Sequence, residues 1–405
     1  MLQSLIFFDS SVWTELLPIT FTRPVSKLRI GILSIEEKWK YLMPGDYSFS
    51  TQPYLQKKYK LNLTEDNIFI NGSVIPDINL IDKIVGLNPN SALMSNDTII
   101  AVRIKSSYKE IIDKIFNSHN ISGLNIINIS NINKLEHLWD IYQKAGQETI
   151  NDFQLITKGK KSGKISETNT IIGNKNDIFI ADGAKVEASV INSSTGPVYI
   201  DHDSEIMEGC TIRGPFYLGK HSTLKMGAKI YGATSIGHHC KVGGEVNNSV
   251  FLDFSNKAHD GFIGNSVIGE WCNLGADTNN SNLKNNYAKV KLWSYRSLSF
   301  ENTGEQFCGL FMGDHSKAGI NSMFNTGTVV GVSANIFGPG FPRNFIPSFS
   351  WGGNHGFITF EIEKALETAE IMMKRRNLEL DDTEKEILRQ IFLQSSKNRI
   401  WEKNK

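Results

Sequence analysis

Ile200, Ile206, Ile212, Leu218, Leu224, Ile230, Ile236 and Val242 stand six residues apart, eight aliphatic positions without a gap. A helix repeats its buried face every 3.6 residues and a half-buried strand every two, so neither produces this spacing. One six-residue unit can supply a short strand and the turn that follows it. Three such units close a triangular coil whose interior receives one aliphatic side chain per face, and each coil stacks on the last. The spacing predicts a parallel β-solenoid as the centre of the fold.

The residues around the aliphatic slots fit that prediction. Gly219, Gly237, Gly243, Gly269 and Gly275 directly follow slots, where a chain turning a corner gains from a residue free to take positive φ. Cys210, Ala228, Thr234, Cys240 and Cys272 lie four residues after theirs, where a small side chain fits inside the corner. After Val242 the phase slips, and the expected slots resume at Val250, Phe262, Ile268 and Leu274. They return at Met312, Ala318, Phe324, Val330 and Ile336, so the stretch between, with Trp293, Tyr295 and Arg296, reads as an insertion on the solenoid wall.

Composition narrows the function classes. The chain has 405 residues, with 43 basic and 42 acidic side chains and a formal charge of +1, which gives no electrostatic reason to expect a nucleic-acid partner or a membrane surface. No apolar run reaches the ~18 residues of a membrane span, and the first residues carry no cationic segment or small-residue cleavage site, so a cytoplasmic location is expected. The four cysteines have neither a CxxC spacing nor a nearby His pattern and are read as buried thiols, with no metal site.

The region before the repeat alternates apolar runs with helical spacing. Strands are expected at Leu5 to Phe8, Asn67 to Ile70, Thr98 to Val102 and Leu124 to Ile127, and helices around Glu36 to Leu42 and Lys109 to Phe116, which together predict an α/β layer. Leu17-Pro18-Ile19-Thr20 followed by Arg23-Pro24 resembles the N-terminal signature of sugar-1-phosphate nucleotidyltransferases. That family holds nucleotide phosphates on a glycine-rich loop ahead of the signature, whereas Asp9 to Glu15 contains no glycine, and Glu15 stands where the loop arginine would fall. The resemblance implies a sugar phosphate and an NTP as substrates, with Mg²⁺ for the N-terminal domain. Asn71-Gly72-Ser73 stands in place of the family's Gly-Asp, whose Asp holds that ion. Arg23, Lys27 and Arg29 are the nucleotide-binding candidates, and a solvated basic edge would explain them as well. Lys158 to Lys164 is a polar run read as a linker.

Ala258-His259-Asp260-Gly261 lies in the slipped region, and Asn273-Leu274-Gly275-Ala276-Asp277-Thr278 follows with Asn282 beyond it. Together with the hexads, these segments resemble the left-handed β-helix of hexapeptide amino-sugar acetyltransferases, whose corresponding segment reads Asn-Ile-Gly-Ala-Gly-Thr. The resemblance implies that His259 is the catalytic base for an amine attacking a thioester. An imidazole of ordinary pKa is neutral and basic near pH 7 and suits that step. It further implies Asn273 and Asn282 as substrate-orienting residues and Lys289 as a phosphate contact; Lys229 and Lys257 are added as further phosphate candidates. Acetyl-CoA as acyl donor and a homotrimeric assembly are implied in the same way. The turns Gly313 to Ser316, Gly319 to Ser322 and Gly331 to Ala334 are candidates for amides that stabilise the oxyanion. The polar run Asn279, Asn280, Asn282, Asn285 and Asn286 also fits an ordinary surface loop.

The tail reads as two helices, one with the stripe Ile358, Ile362, Ala365, Leu366, Ala369 and Met372, the other opened by a Thr383/Glu386 capping box. The expected organisation is an α/β nucleotidyltransferase-like domain over 1–157, a linker over 158–178, a left-handed β-helix over 179–345 with an insertion over 283–311, and a helical tail over 346–405. This order resembles the bifunctional enzymes that acetylate glucosamine 1-phosphate and uridylylate the product. The chain is accordingly read as an amino-sugar-1-phosphate N-acetyltransferase fused to a sugar-1-phosphate nucleotidyltransferase. Two other readings stay open: a nucleotidyltransferase whose β-helix only builds the trimer, and a non-catalytic sugar-nucleotide-binding scaffold.

Overall fold

A computed structural model describes residues 4–105 and 123–402. The chain divides into two compact units. One holds the described residues of 4–16, 22–28 and 33–137, the other those of 17–21, 29–32 and 138–402.

The first unit is built on a six-stranded sheet in the order Tyr47–Ser50, Ser4–Phe8, Asn67–Asn71, Thr98–Ile104, Ser91–Ser95 and Asn125–Asn128. The first three strands run parallel, and Thr98–Ile104 runs antiparallel to both of its neighbours. Ile6, Phe8, Phe69, Ala92 and Val102 pack one apolar cluster against this sheet. Helix Ile35–Leu42 starts at a capping box in which Ser34 and Glu37 satisfy each other's amide, and its Trp39 Nε1 donates to the carbonyl of Val74. All four expected strands are present. Tyr47–Ser50 and Ser91–Ser95 were not expected, because their Ser-rich sequences lack the β-branched enrichment that marks a strand. The helix expected around Lys109 to Phe116 lies outside the described residues.

The second unit is a three-sided parallel β-solenoid. One face has nine strands, from Ile178–Ile180 to Phe345–Ile346, the second has ten, from Lys185–Val186 to Gly356–Thr359, and the third has six, from Thr170–Ile172 to Phe262–Gly264. The first strand of the third face thus lies inside the stretch read as a linker. The expected hexad slots from Ile200 to Val242 all point into one continuous core, at roughly 1.5–3 kcal/mol for each fully buried aliphatic side chain. The slipped region differs from expectation by one residue. Ile236 pairs with Phe251 and Val246 with Ile263, so Phe251 and Ile263 fill the interior while Val250 and Phe262 face outward. Two short corners cause the shift: Val242 and Val246 stand four residues apart across Gly243-Gly244, and Val246 and Phe251 five apart across the next corner, against six between the slots from Ile200 to Val242.

The glycines that follow slots are needed for a reason other than positive φ. A Cβ on Gly219 would lie 2.5 Å from the carbonyl of Gly237, and one on Gly243 would lie 2.6 Å from the oxygen of Ala258, so stacked coils approach too closely for any side chain there. At the corner leading from the first face to the second, the left-handed position comes three residues after the slot and is filled by His221, His239, Phe254, Trp271 and His315, with φ between 57° and 63°. Their rings stack in a column, with successive centroids 4.8, 4.8, 4.2 and 6.3 Å apart.

Helix Asp140–Thr157, absent from the sequence reading, lies along the outer side of the first face, where Tyr142 meets Phe311 and Phe153 meets Tyr199. The insertion forms an antiparallel hairpin, Lys291–Ser294 with Ser299–Asn302, whose Trp293 stacks on Phe345 at 4.1 Å. The tail contains helices Ile362–Lys374 and Asp382–Ser395. Ile358 lies in strand Gly356–Thr359 rather than in the first helix, Met373 rather than Met372 is buried, and Asp381 caps the second helix in place of the expected Thr383. Asp381 has extended backbone geometry and accepts the amide of Glu384, as an N-cap requires. All four cysteines are free and buried. No helix among the described residues is long and apolar enough to cross a membrane.

Candidate functional site

The corner between the second and third faces carries His259. Most coils turn it with Lys225-Met226-Gly227, Ala258-His259-Asp260-Gly261 or Gly275-Ala276-Asp277, but the coil between the first two turns it on Gly243-Gly244 alone. The short turn leaves a notch. A cavity of about 550 Å³ opens there, lined by Met226, Gly244, Ala258, His259, Asp260, Ala276 and Asp277. A Cβ on Gly244 would lie 2.9 Å from the oxygen of His259, and one on Gly261 would lie 2.3 Å from the oxygen of Thr278, so backbone contact from both sides fixes the loop that carries the imidazole. The His259 side chain is exposed, and its ring makes no hydrogen bond or ion pair among the described residues.

Asp260 and Asp277 are the other titratable groups in the wall, and sequence reasoning did not single them out. Asp277 had a visible signal: it stands where the resembling acetyltransferase segment has glycine, and it adopts φ 59°. Two carboxylates beside an imidazole favour a hydroxyl or ammonium group of the ligand against that wall.

The other expected site residues are dispersed. Lys257 lies inside the solenoid, where its Nζ donates to the carbonyls of Gly243 at 3.1 Å and His259 at 2.6 Å, and burial lowers its pKa to about 8. A side chain only 1% exposed is not on the surface where a phosphate would meet it. Asn273 sits on the outer side of the second face, paired with Asn256 and Lys317. Asn282 donates to Asn265 Oδ1 at 2.8 Å at the root of the insertion. Lys229 is exposed on the third face, and Lys289 is exposed in the insertion. Of this group the structure joins only Lys257 to His259. In the turns expected to supply an oxyanion site, the amides of Gly313, Gly319 and Gly331 donate to carbonyls of the next coil.

The nucleotide-binding candidates divide between the two units. The Lys27 ammonium lies 2.5 Å from Glu36, and Arg23 is buried. Arg29 belongs to the solenoid's unit, where its guanidinium donates to the carbonyl of Ile32 and lies 3.7 Å from Asp253 and 3.4 Å from His238. At the end of strand Ser4–Phe8, Asp9 accepts the amide of Val25 and the hydroxyl of Thr51, and burial pushes its carboxyl up to about 7. That carboxyl takes up an amide at the carboxyl end of a parallel strand, a place where α/β sheets commonly receive ligands. Asn71 is equally engaged: its Oδ1 accepts from Ser73, and its Nδ2 donates to the carbonyl of Ile99. Among the described residues no group of three or more His, Cys, Asp or Glu is placed to hold a metal ion, and Asn71-Gly72-Ser73 offers no carboxylate where the resembling family's Asp would hold Mg²⁺.

Residues 5–161 match the model of the sugar nucleotidyl transferase family. No curated protein matches the chain in sequence. Among solved structures, the polySia-specific acetyltransferase NeuO aligns with 52% of this chain and 100% of its own at 13% identity, with a TM-score of 0.32. The Arabidopsis UDP-N-acetylglucosamine acyltransferase aligns over 53% and 80% at 16% identity and a TM-score of 0.20. The polysialic acid O-acetyltransferase OatWY aligns over 47% and 85% at 12% identity and a TM-score of 0.17.

Proposed function

We propose that the chain is an acyltransferase that moves an acetyl group from acetyl-CoA to a sugar, with His259 as the catalytic base. The observation that carries this reading is an exposed imidazole, without a hydrogen bond or ion pair among the described residues, in the wall of a cavity that also holds Asp260 and Asp277. In the step, a sugar amine or hydroxyl attacks the thioester carbon as its proton passes to His259, the carbon–sulfur bond breaks, and CoA leaves as the thiol after taking up a proton. Asp260 and Asp277 accept hydrogen bonds from the sugar and attract an ammonium form to the cavity. The peptide N–H groups of His259 and Asp260 donate to no acceptor among the described residues and remain available to the oxyanion.

The finer reading is N-acetylation of an amino-sugar 1-phosphate by a homotrimer. The sugar nucleotidyl transferase match over residues 5–161 supports a sugar phosphate or nucleotide sugar as the molecule handled. The test incubates the protein with acetyl-CoA and a panel of amino sugars, their 1-phosphates and nucleotide sugars, and measures released CoA and product mass. His259→Gln should lose more than 100-fold in rate. Full activity in that variant would remove the assignment.

A second reading makes the N-terminal unit an NTP-consuming nucleotidyltransferase and the solenoid its assembly element. The family match favours it, whereas the buried Asp9 and the hydrogen-bonded Asn71 weigh against it. Pyrophosphate release from an NTP and a sugar 1-phosphate, without CoA release, would select it.

A further inference from the structure

Lys257 occupies a position that every other coil of the second face gives to a small or aliphatic residue. Its ladder partner is Val242, and the neighbouring coils place Leu224, Leu274, Ala318 and Ile336 in the same column. Placing an ammonium there costs free energy unless it is fully hydrogen-bonded. In coils of ordinary length, the carbonyl just after the slot is bonded by a small residue further round the same turn: Thr278 Oγ1 reaches Gly275, and Ser322 Oγ reaches Gly319. The Gly243-Gly244 turn is too short to contain such a residue. Lys257 replaces it, reaching outward from the interior to the carbonyl of Gly243 and, with the same nitrogen, to that of His259.

We propose that Lys257 is a positioning residue for His259, its buried ammonium clamping the peptide that carries the imidazole to the short turn that forms the notch. This rests on the reading of His259 given above. The clamp is charge-assisted, so it weakens when Lys257 loses its proton, near pH 8. The charged groups acting on this ammonium are Asp260 and Asp277, both of which favour its protonated form.

The test follows the His259 ring resonances of the full-length protein against pH, assigned with His259→Gln, alongside steady-state CoA release. In the parent the His259 signal should carry a second inflection near pH 8, with none at His355. Lys257→Met fills the slot without the charge; it should abolish that inflection and lower kcat at least tenfold while leaving KM for the sugar within twofold. Asp277→Asn, at an exposed left-handed position that Asn tolerates, should move the inflection to lower pH, and it supplies the test should Lys257→Met fail to fold. A parent His259 curve with no second inflection, or one unchanged in both variants, overturns the inference. Unchanged kcat in Lys257→Met alongside an inactive His259→Gln overturns it alone, whereas full activity in His259→Gln overturns the reading of the site.

Discussion

The ring of Phe254 lies parallel to the indole of Trp271, centroids 4.2 Å apart and planes within 2° of each other. The two residues come from successive coils, so the contact ties together segments that meet only when both coils are wound. The column passes from exposed His221 to buried Trp271, and its cost of removal should rise along it. Trp271→Ala is expected to cost about 3–5 kcal/mol and His221→Ala less than about 1 kcal/mol, read from urea unfolding midpoints.

Asp9 makes stability depend on pH. A buried carboxyl raised to about 7 holds its proton in the folded chain while the unfolded chain gives it up near pH 4. The stability it contributes is complete below pH 4, declines as pH rises and is gone above about 7, a span on the order of 4 kcal/mol. Asp9→Asn should match the parent at pH 4.5 and exceed it in melting temperature at pH 8. A constant difference across that range would rule out the titration.

Gly261 and Gly227 separate close contact from backbone conformation. Both have positive φ, but a Cβ at Gly261 would meet the oxygen of Thr278 at 2.3 Å, while one at Gly227 would meet nothing within 4 Å. Gly227→Ala should cost about 1–2 kcal/mol. Gly261→Ala should cost at least about twice that, and it should also lower CoA release, because it displaces the loop bearing His259.

The shifted register has its own check. Ile263 is fully buried in the core and Phe262 is half-buried outside it. Ile263→Ala should cost about 2–5 kcal/mol, and Phe262→Ala clearly less, in chemical denaturation.

The hexads revealed the solenoid because each coil repeats one demand, an aliphatic side chain at the same place. Where a turn is shortened that demand moves by a residue, and Val250 and Phe262 look as suitable as Phe251 and Ile263 to a reader counting in sixes. The cavity depended on such an irregularity, Gly243-Gly244, so His259 was legible through its resemblance and Asp260 and Asp277 were not. The ring column left a trace as well: His221, His239, Phe254, Trp271 and His315 each stand three residues after a first-face slot. Helix Asp140–Thr157 was missed because its buried side includes Glu148, Thr149 and Asp152, which blur an apolar stripe. Asp152 is held there by a specific bond, accepting the amide of Ile32 at 2.9 Å.

Strand Ser350–Gly353 pairs in the opposite direction with Gly356–Thr359, the one reversal on a face that is otherwise parallel. A uniform ladder has no intrinsic length, and its last rung is a template on which the first rung of another molecule could seat itself, end to end, into a filament. By turning back on itself the chain ends this face on a strand that runs against the parallel register an incoming coil would continue. On this face, therefore, the parallel stack is closed by a hairpin of a few residues.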